Sequence, residues 1–323
     1  MAVTGCNKSS TANDGFCADG KAAMEKAKKN HQNILVIATM KDDDMFSTDF
    51  ITNVLNDSKF KEEICTSYAV IHMDFSQSSY KETVYNNSST EDEIKIAEEK
   101  AETMRKNTLL ASRLNLQVTP AIYLMSEDMY FIEEVDYLTN EITNYYNFKG
   151  LLEKQNDIVN DFNVKVEATK TGSKKERLAA MDNLFESTDG FYRTFLIELV
   201  KEYIKLDSND ESGILSKYIM AKADIESANY FNAGDAGSAA RIYEKVAEDT
   251  RLLPEYRQNA HYLTAYIMSM SQSTDYDKII YHLNSAIEVY PEGENTASIK
   301  AVLTEMERVL SEDEAYKAHQ ETE

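Results

Sequence analysis

The side chains able to do chemistry in this chain are thiols, imidazoles and carboxylates, and their spacing rules out most of it. Among 323 residues there are three cysteines, Cys6, Cys17 and Cys65, and five histidines. No Cys-x-x-Cys occurs, and no histidine stands at metal-ligand spacing from a cysteine, so a zinc site is not expected. Disulfide exchange needs an exposed thiolate with a second thiol one helical turn away, and no cysteine pair has that spacing. Cys65, at the end of a helical stretch, reads as a small buried apolar residue. Cys17 pairs with it only if the fold brings the two within disulfide reach.

Among the carboxylates, Asp42-Asp43-Asp44 precedes a helical apolar face made by Phe46, Phe50, Val54 and Leu55. Such a run reads as capping for orphan backbone N–H groups, because a hard cation needs many converging oxygens. Asp207-Ser208-Asn209-Asp210-Glu211-Ser212-Gly213 has its glycine one place late for a calcium loop, and Tyr218 stands where the closing carboxylate belongs. Ser47 has no histidine near it in sequence to act as base, and His72, inside a strand, reads as a core or edge histidine. Glycine-rich phosphate loops and Gly-x-Ser-x-Gly are missing. No metal and no cofactor are expected.

The elements that would position these groups follow from composition and pattern. The chain is long enough for two domains, and 10 Gly with 3 Pro is too few for an all-β fold rich in tight turns. A formal charge of −22 disfavours nucleic acid and direct electrostatic binding to an anionic membrane. Ile34-Leu35-Val36-Ile37-Ala38 lacks polar alternation, which predicts a strand covered on both faces. Phe46 to Leu55 predicts helix and, after Asn56-Asp57-Ser58, Phe60 and Ile64 a short further helix; 68–75 predicts a second strand, and 76–95 a polar insertion or long loop. Helix is expected over 96–114, a strand within 116–125 that begins at Pro120, another over 130–135, and one long helix over 141–162.

That order of elements resembles the thioredoxin-like superfamily over about residues 20–160. Asn56-Asp57-Ser58-Lys59-Phe60 is similar to the Asn/Ser-Asp-x-x-Phe segment of some members. Leu110-Ala111-Ser112-Arg113-Leu114-Asn115-Leu116-Gln117-Val118-Thr119-Pro120 resembles the family's helix end, loop and signature proline. The resemblance implies a cis bond at Thr119-Pro120, facing the place where the family carries its redox cysteines. Here that place reads Asp44-Met45-Phe46-Ser47, a degenerate redox site without sulfur, so the family's activity is expected to be lost.

From 171 onward only helical periodicity appears. Tyr230-Phe231-Asn232-Ala233-Gly234-Asp235, with Ala239, Ala240 and Tyr243, resembles the turn and second helix of a tetratricopeptide repeat, and Leu283, Ala286 and Pro291 resemble its second helix and terminal proline. The alternative is a generic helical bundle. A groove lined by Tyr230, Tyr243, Tyr262 and Tyr266 is weighed against packing of those rings between helices.

At the N-terminus, Val3-Thr4-Gly5-Cys6 before a Ser-rich stretch resembles a bacterial lipoprotein processing site, which implies a lipid anchor at Cys6. The expected organisation is a tether over 1–18, an α/β thioredoxin-like domain over 19–165, and an all-α, tetratricopeptide-like domain over 166–323. The expected function is non-enzymatic: a cell-envelope protein, on the periplasmic side, that binds a protein or peptide partner as a scaffold or chaperone-like adaptor. The alternatives are a thiol oxidoreductase or peroxidase-like enzyme using Cys65 or Cys17, and a structural subunit of an envelope assembly. If the match at Cys6 is accidental, the location is cytoplasmic. The sequence leaves the oligomeric state open.

Overall fold

The computed structural model describes residues 15–137, 142–271 and 273–320. The chain forms two compact units, Met1–Lys170 with Ser187–Phe195, and Thr171–Glu186 with Leu196–Glu323. The first is a mixed α/β unit, the second helical.

Four strands make the sheet of the first unit: β1 (Asn33–Thr39), β2 (Tyr68–Asp74), β3 (Ala121–Met125) and β4 (Phe131–Glu134), in the spatial order β2-β1-β3-β4. β1 and β2 are parallel, with Val36 opposite Ile71, whereas β3 is antiparallel to both β1 and β4. The parallel pair needs a crossover, which is supplied by α2 (Met45–Phe50), π-helical turns at Ile51–Leu55 and Phe60–Ile64, and the short α3 (Cys65–Ser67). The remaining helices of this unit are α1 (Gly20–Asn30), α4 (Gln77–Lys81), α5 (Glu91–Arg113), α6 (Tyr145–Glu153) and α7 (Asn156–Lys170).

β1 is apolar throughout because both of its faces are covered. Leu35 and Ile37 enter one core with Phe50, Phe60 and Phe148, where Phe50 meets Phe148 edge-on at 5.5 Å. Ile34, Val36 and Ala38 enter the other core, with Ala23, Ala27 and Leu110. Each large side chain fully buried this way contributes about 2 kcal/mol of transfer free energy.

Several boundaries differ from the sequence reading. The tether expected over 1–18 gives way to folded structure by its last residues: Cys17 N–H donates to Val70 O at 2.7 Å, and Phe16 packs between the rings of Phe60 and His72. The insertion contains α4, and α5 starts at Glu91, set by a capping box between Thr90 and Glu93. The third strand, expected to begin at the proline, starts at Ala121, directly after the cis Thr119-Pro120 bond. The single long helix expected over 141–162 is two helices, α6 and α7. The chain turns at Lys154 and Gln155, which lets Leu151, Leu152 and Val159 all reach one core. The border expected at 165/166 falls after Lys170, and a later segment returns to the α/β unit. In that segment Tyr192 stacks on Phe131 at 3.5 Å, Phe195 joins the second core, and the Arg113 guanidinium lies 4.2 Å from the Phe195 ring while donating to Thr194 O.

The helical unit runs α8 (Lys174–Ser187), α9 (Ile197–Leu206), α10 (Leu215–Asn232), α11 (Ala236–Ala247), α12 (Pro254–Met270), α13 (Tyr276–Val289) and α14 (Thr296–Gln320). From α9 onward each helix packs on the next, and α10 also touches α12. Small residues, Ala239, Ala240 and Ala260, let the backbones of α10 to α12 approach. α10 ends on Gly234, whose φ of +80° suits a residue without Cβ, while Asp235 N–H returns to Tyr230 O at 2.9 Å and closes the helix.

Candidate functional site

The sequence placed its candidate site at the mouth of β1, and the local physics there is a helix start. Asp44 is the N-cap of α2: its Oδ1 accepts from Phe46 N–H at 2.9 Å and its Oδ2 from Ser47 N–H at 3.1 Å. Oδ2 also accepts from Ser47 Oγ at 2.5 Å and from Thr119 Oγ1 at 3.0 Å. One carboxylate therefore ties the first turn of α2 to the loop carrying the cis Thr119-Pro120 bond. Ser47 is buried, and its Oγ accepts from Met40 N–H at 3.0 Å while donating to Asp44. A hydroxyl so buried, with a carboxylate rather than an imidazole beside it, is structural and not an activated nucleophile.

Asp42, Asp43 and Asp44 do not act together as caps of α2. Asp42 reaches across to the insertion and accepts from Ser78 N–H at 2.8 Å, and hydrogen bonds from Ser78 hold its carboxyl below the usual carboxylate range. Among the described residues no group of three or more His, Cys, Asp or Glu is arranged to hold a metal ion.

Beside the Asp44 cap, three apolar side chains are exposed among charged neighbours such as Lys41, Asp42 and Asp43. Met45 is 71% exposed and Phe46 57%, and Val118, one residue before Thr119, is also exposed. Pro120 is buried. Tyr137 packs edge-on against Phe50 at 5.5 Å, and burial, then the charges of Asp44 and Asp49, push its hydroxyl pKa up.

The thiols lie elsewhere. Cys17 is buried in the core that contains Ile71 and Ala23, and Cys65 in the core that contains Phe60 and Ile64, on the opposite face of the sheet. Burial pushes the Cys17 thiol pKa up, away from the thiolate that redox chemistry needs. Cys6 lies outside the described residues.

In the helical unit the four tyrosines do not share one open surface. Tyr243 is buried, with its hydroxyl donating to Asp224 Oδ1 at 2.7 Å, so it packs between helices instead of lining a groove. Tyr230 and Tyr266 are exposed, and Tyr262 is half-buried with its ring 6.3 Å from that of Tyr266. Met270, one turn beyond Tyr266 on α12, extends that exposed stripe.

Sequence reasoning missed a buried histidine pair. His261 of α12 and His282 of α13 meet with their Nδ1 atoms 3.1 Å apart. One ring must donate and the other accept, so the two cannot both be protonated while this bond is kept. Burial, then the neighbouring His282, pushes the His261 pKa down to about 4, and burial also lowers that of His282. Nothing in the sequence spacing signals this pair, because it depends on how two helices align.

Residues 214–314, which span α10 through most of α14, match a family described as an uncharacterised protein C-terminal domain. An uncharacterized protein of Treponema pallidum (strain Nichols) is 24% identical over 149 residues, or 42% of this chain. The chain spans about half the length of that curated relative. Among solved structures, a DsbH oxidoreductase overlaps 41% of this chain and 78% of its own, with a TM-score of 0.30 and 16% identity.

Proposed function

We propose that the α/β unit is a thioredoxin-like domain in which a carboxylate has replaced the redox thiol, and that the protein works by binding rather than by catalysis. The observation that carries this reading is the Asp44 side chain. It occupies the helix start facing the cis-proline loop, and its oxygens are committed to Phe46, Ser47 and Thr119. The strand order β2-β1-β3-β4, with the cis bond immediately before β3, supports the fold assignment.

The binding surfaces in this reading are two. One is the exposed apolar rim of Met45, Phe46 and Val118 beside Thr119-Pro120; the other is the stripe of Tyr266 and Met270 on the helical unit. Both suit a protein or peptide partner with apolar side chains. α10 with α11 and α12 with α13 form two successive antiparallel pairs followed by α14, with starts at Leu215, Pro254 and Thr296; this stacking supports a degenerate helical solenoid over a generic bundle, with a spacing of about 40 residues that is longer than the 34 of a tetratricopeptide repeat. A scaffold or chaperone-like role in the cell envelope, anchored through Cys6, completes the proposal. No helix among the described residues is long and apolar enough to cross a membrane.

The test is insulin-disulfide reduction by the full chain, compared with Cys17→Ser and Cys65→Ser variants. The proposal expects no turnover in any of them; turnover abolished by Cys65→Ser would replace it with the thiol-enzyme reading.

A further inference from the structure

The insertion after β2 builds a cleft of about 450 Å³ that plays no part in the Asp44 centre or in the helical unit. Its walls are Ala18, the end of β2 with His72, α4 and the turn after it, and the middle of α5 from Ile96 to Asn107. That volume falls in the range of small-molecule sites.

The chemistry of the lining is directional. Phe75, Ile96 and Met104 supply apolar surface, and Ile96 is 53% exposed although it sits on a helix with a core to join. Three carboxylates, Asp74, Glu82 and Glu99, face one cation, Lys100, which pairs with Glu82 at 2.5 Å. Asp74 accepts from Ser76 N–H at 3.0 Å and Ser79 Oγ at 2.6 Å, and among the described residues neither Asp74 nor Glu99 has a cationic partner. The cleft therefore carries uncompensated negative charge beside apolar walls.

A second observation comes from Asn107, which also lines the cleft. It is 7% exposed, and its Nδ2 points to Ala18 O at 3.5 Å, which fixes the orientation of the amide. Its Oδ1 is buried and receives no hydrogen bond among the described residues. A buried acceptor without a donor is costly unless a ligand or water supplies one. Carboxylates and an orphan carbonyl oxygen all ask for N–H donors on a cation, and the apolar walls ask for a flat hydrocarbon body.

We propose that this cleft binds a small organic monocation of the aryl amidinium or guanidinium class. The cationic N–H groups face Asp74 and Glu99, and the ring lies against Phe75 and Met104, where aromatic and sulfur–aromatic contacts add to apolar burial. The hydrogen bond from Ser78 N–H to Asp42 pins α4 to the loop after β1 and holds one wall in place before any ligand arrives.

The experiment is a titration of the full chain with benzamidine, followed by amide chemical shifts and by calorimetry, with benzamide as the neutral isostere. Saturable binding of benzamidine is expected, with shifts confined to the end of β2, α4 and α5, and with benzamide weaker by at least about tenfold. Glu99→Gln, an exposed position that does not threaten folding, is expected to weaken benzamidine about tenfold, and Asn107→Ala to weaken it less. Equal binding of benzamide, unchanged affinity in Glu99→Gln, or shifts lying outside these elements would overturn the proposal.

Discussion

Asp44 and the His261–His282 pair are both polar centres set into apolar surroundings, and they solve the problem of burial in opposite ways. Asp44 collects four donors from three residues, three of them on Oδ2 and one on Oδ1, so both oxygens are hydrogen-bonded. The histidines share a single hydrogen bond, and His282 Nε2, on a ring 1% exposed, is 3.7 Å from Glu244 Oε1 and has no hydrogen-bond partner among the described residues. The first centre is a clamp. Protonation of His261 works against the second, so the two units are predicted to respond differently to acid and to mutation.

The largest effect should come from the histidines. His261 has a pKa of about 4 in the fold against an ordinary value of about 6.5 in the unfolded chain. Between those values the unfolded chain binds the proton and the folded one does not, so stability rises with pH across this window. The contribution is complete above about pH 6.5 and is lost as pH falls toward 4, a change of about 3 kcal/mol. Glu244 on α11 opposes the effect and Arg257 reinforces it, while Glu248, just past the end of α11, and Lys278 act in the same two senses on His282. Urea midpoints of the helical unfolding step at pH 7.5 and 4.5 measure it; His261→Gln should flatten the profile, whereas an unchanged slope would break the contrast between the two centres.

Next in size is Asp44→Ala, which removes the cap of α2 and leaves Ser47 and Thr119 without an acceptor. The loss should be about 2 kcal/mol in thermal or urea unfolding of the α/β unit, with Asp44→Asn costing about half of that. Tyr243→Phe should cost about 1 kcal/mol by leaving Asp224 without its donor inside the helical unit. Phe46→Ser sharpens the comparison from the other side. This ring is 57% exposed, so its loss should change stability by less than about 0.5 kcal/mol while weakening any partner that docks beside Thr119.

The legible part of the fold was the part with period. β1 read correctly as a strand covered on both faces because every residue from Ile34 to Ala38 enters a core. The start of α5 was misread because apolar spacing begins at Ile96, yet Thr90-x-x-Glu93 carried the capping signal in plain view. The return of Ser187–Phe195 to the α/β unit was not legible: a short 3-10 stretch has no face to reveal, and Tyr192 and Phe195 look like any helical aromatics until Phe131 and Arg113 are in place. At the candidate site the sequence located Asp44 and Thr119-Pro120 but not the hydrogen bond between Asp44 and Thr119, which spans 75 positions. Asn107 was invisible as a cleft residue for the same reason, since only the packed insertion gives it a pocket to face.

In the proposed reading, the Asp44 position keeps the geometry of a thioredoxin-type redox centre and lacks only the sulfur. The most direct measurement is insulin-disulfide reduction by the double variant Asp44→Cys with Ser47→Cys, set against the native chain under the same reductant. No turnover is expected from the native chain and measurable turnover from the double variant, with none from the single variant Ser47→Cys, which keeps the aspartate. Turnover by the native chain, or none from a correctly folded double variant, would contradict the claim.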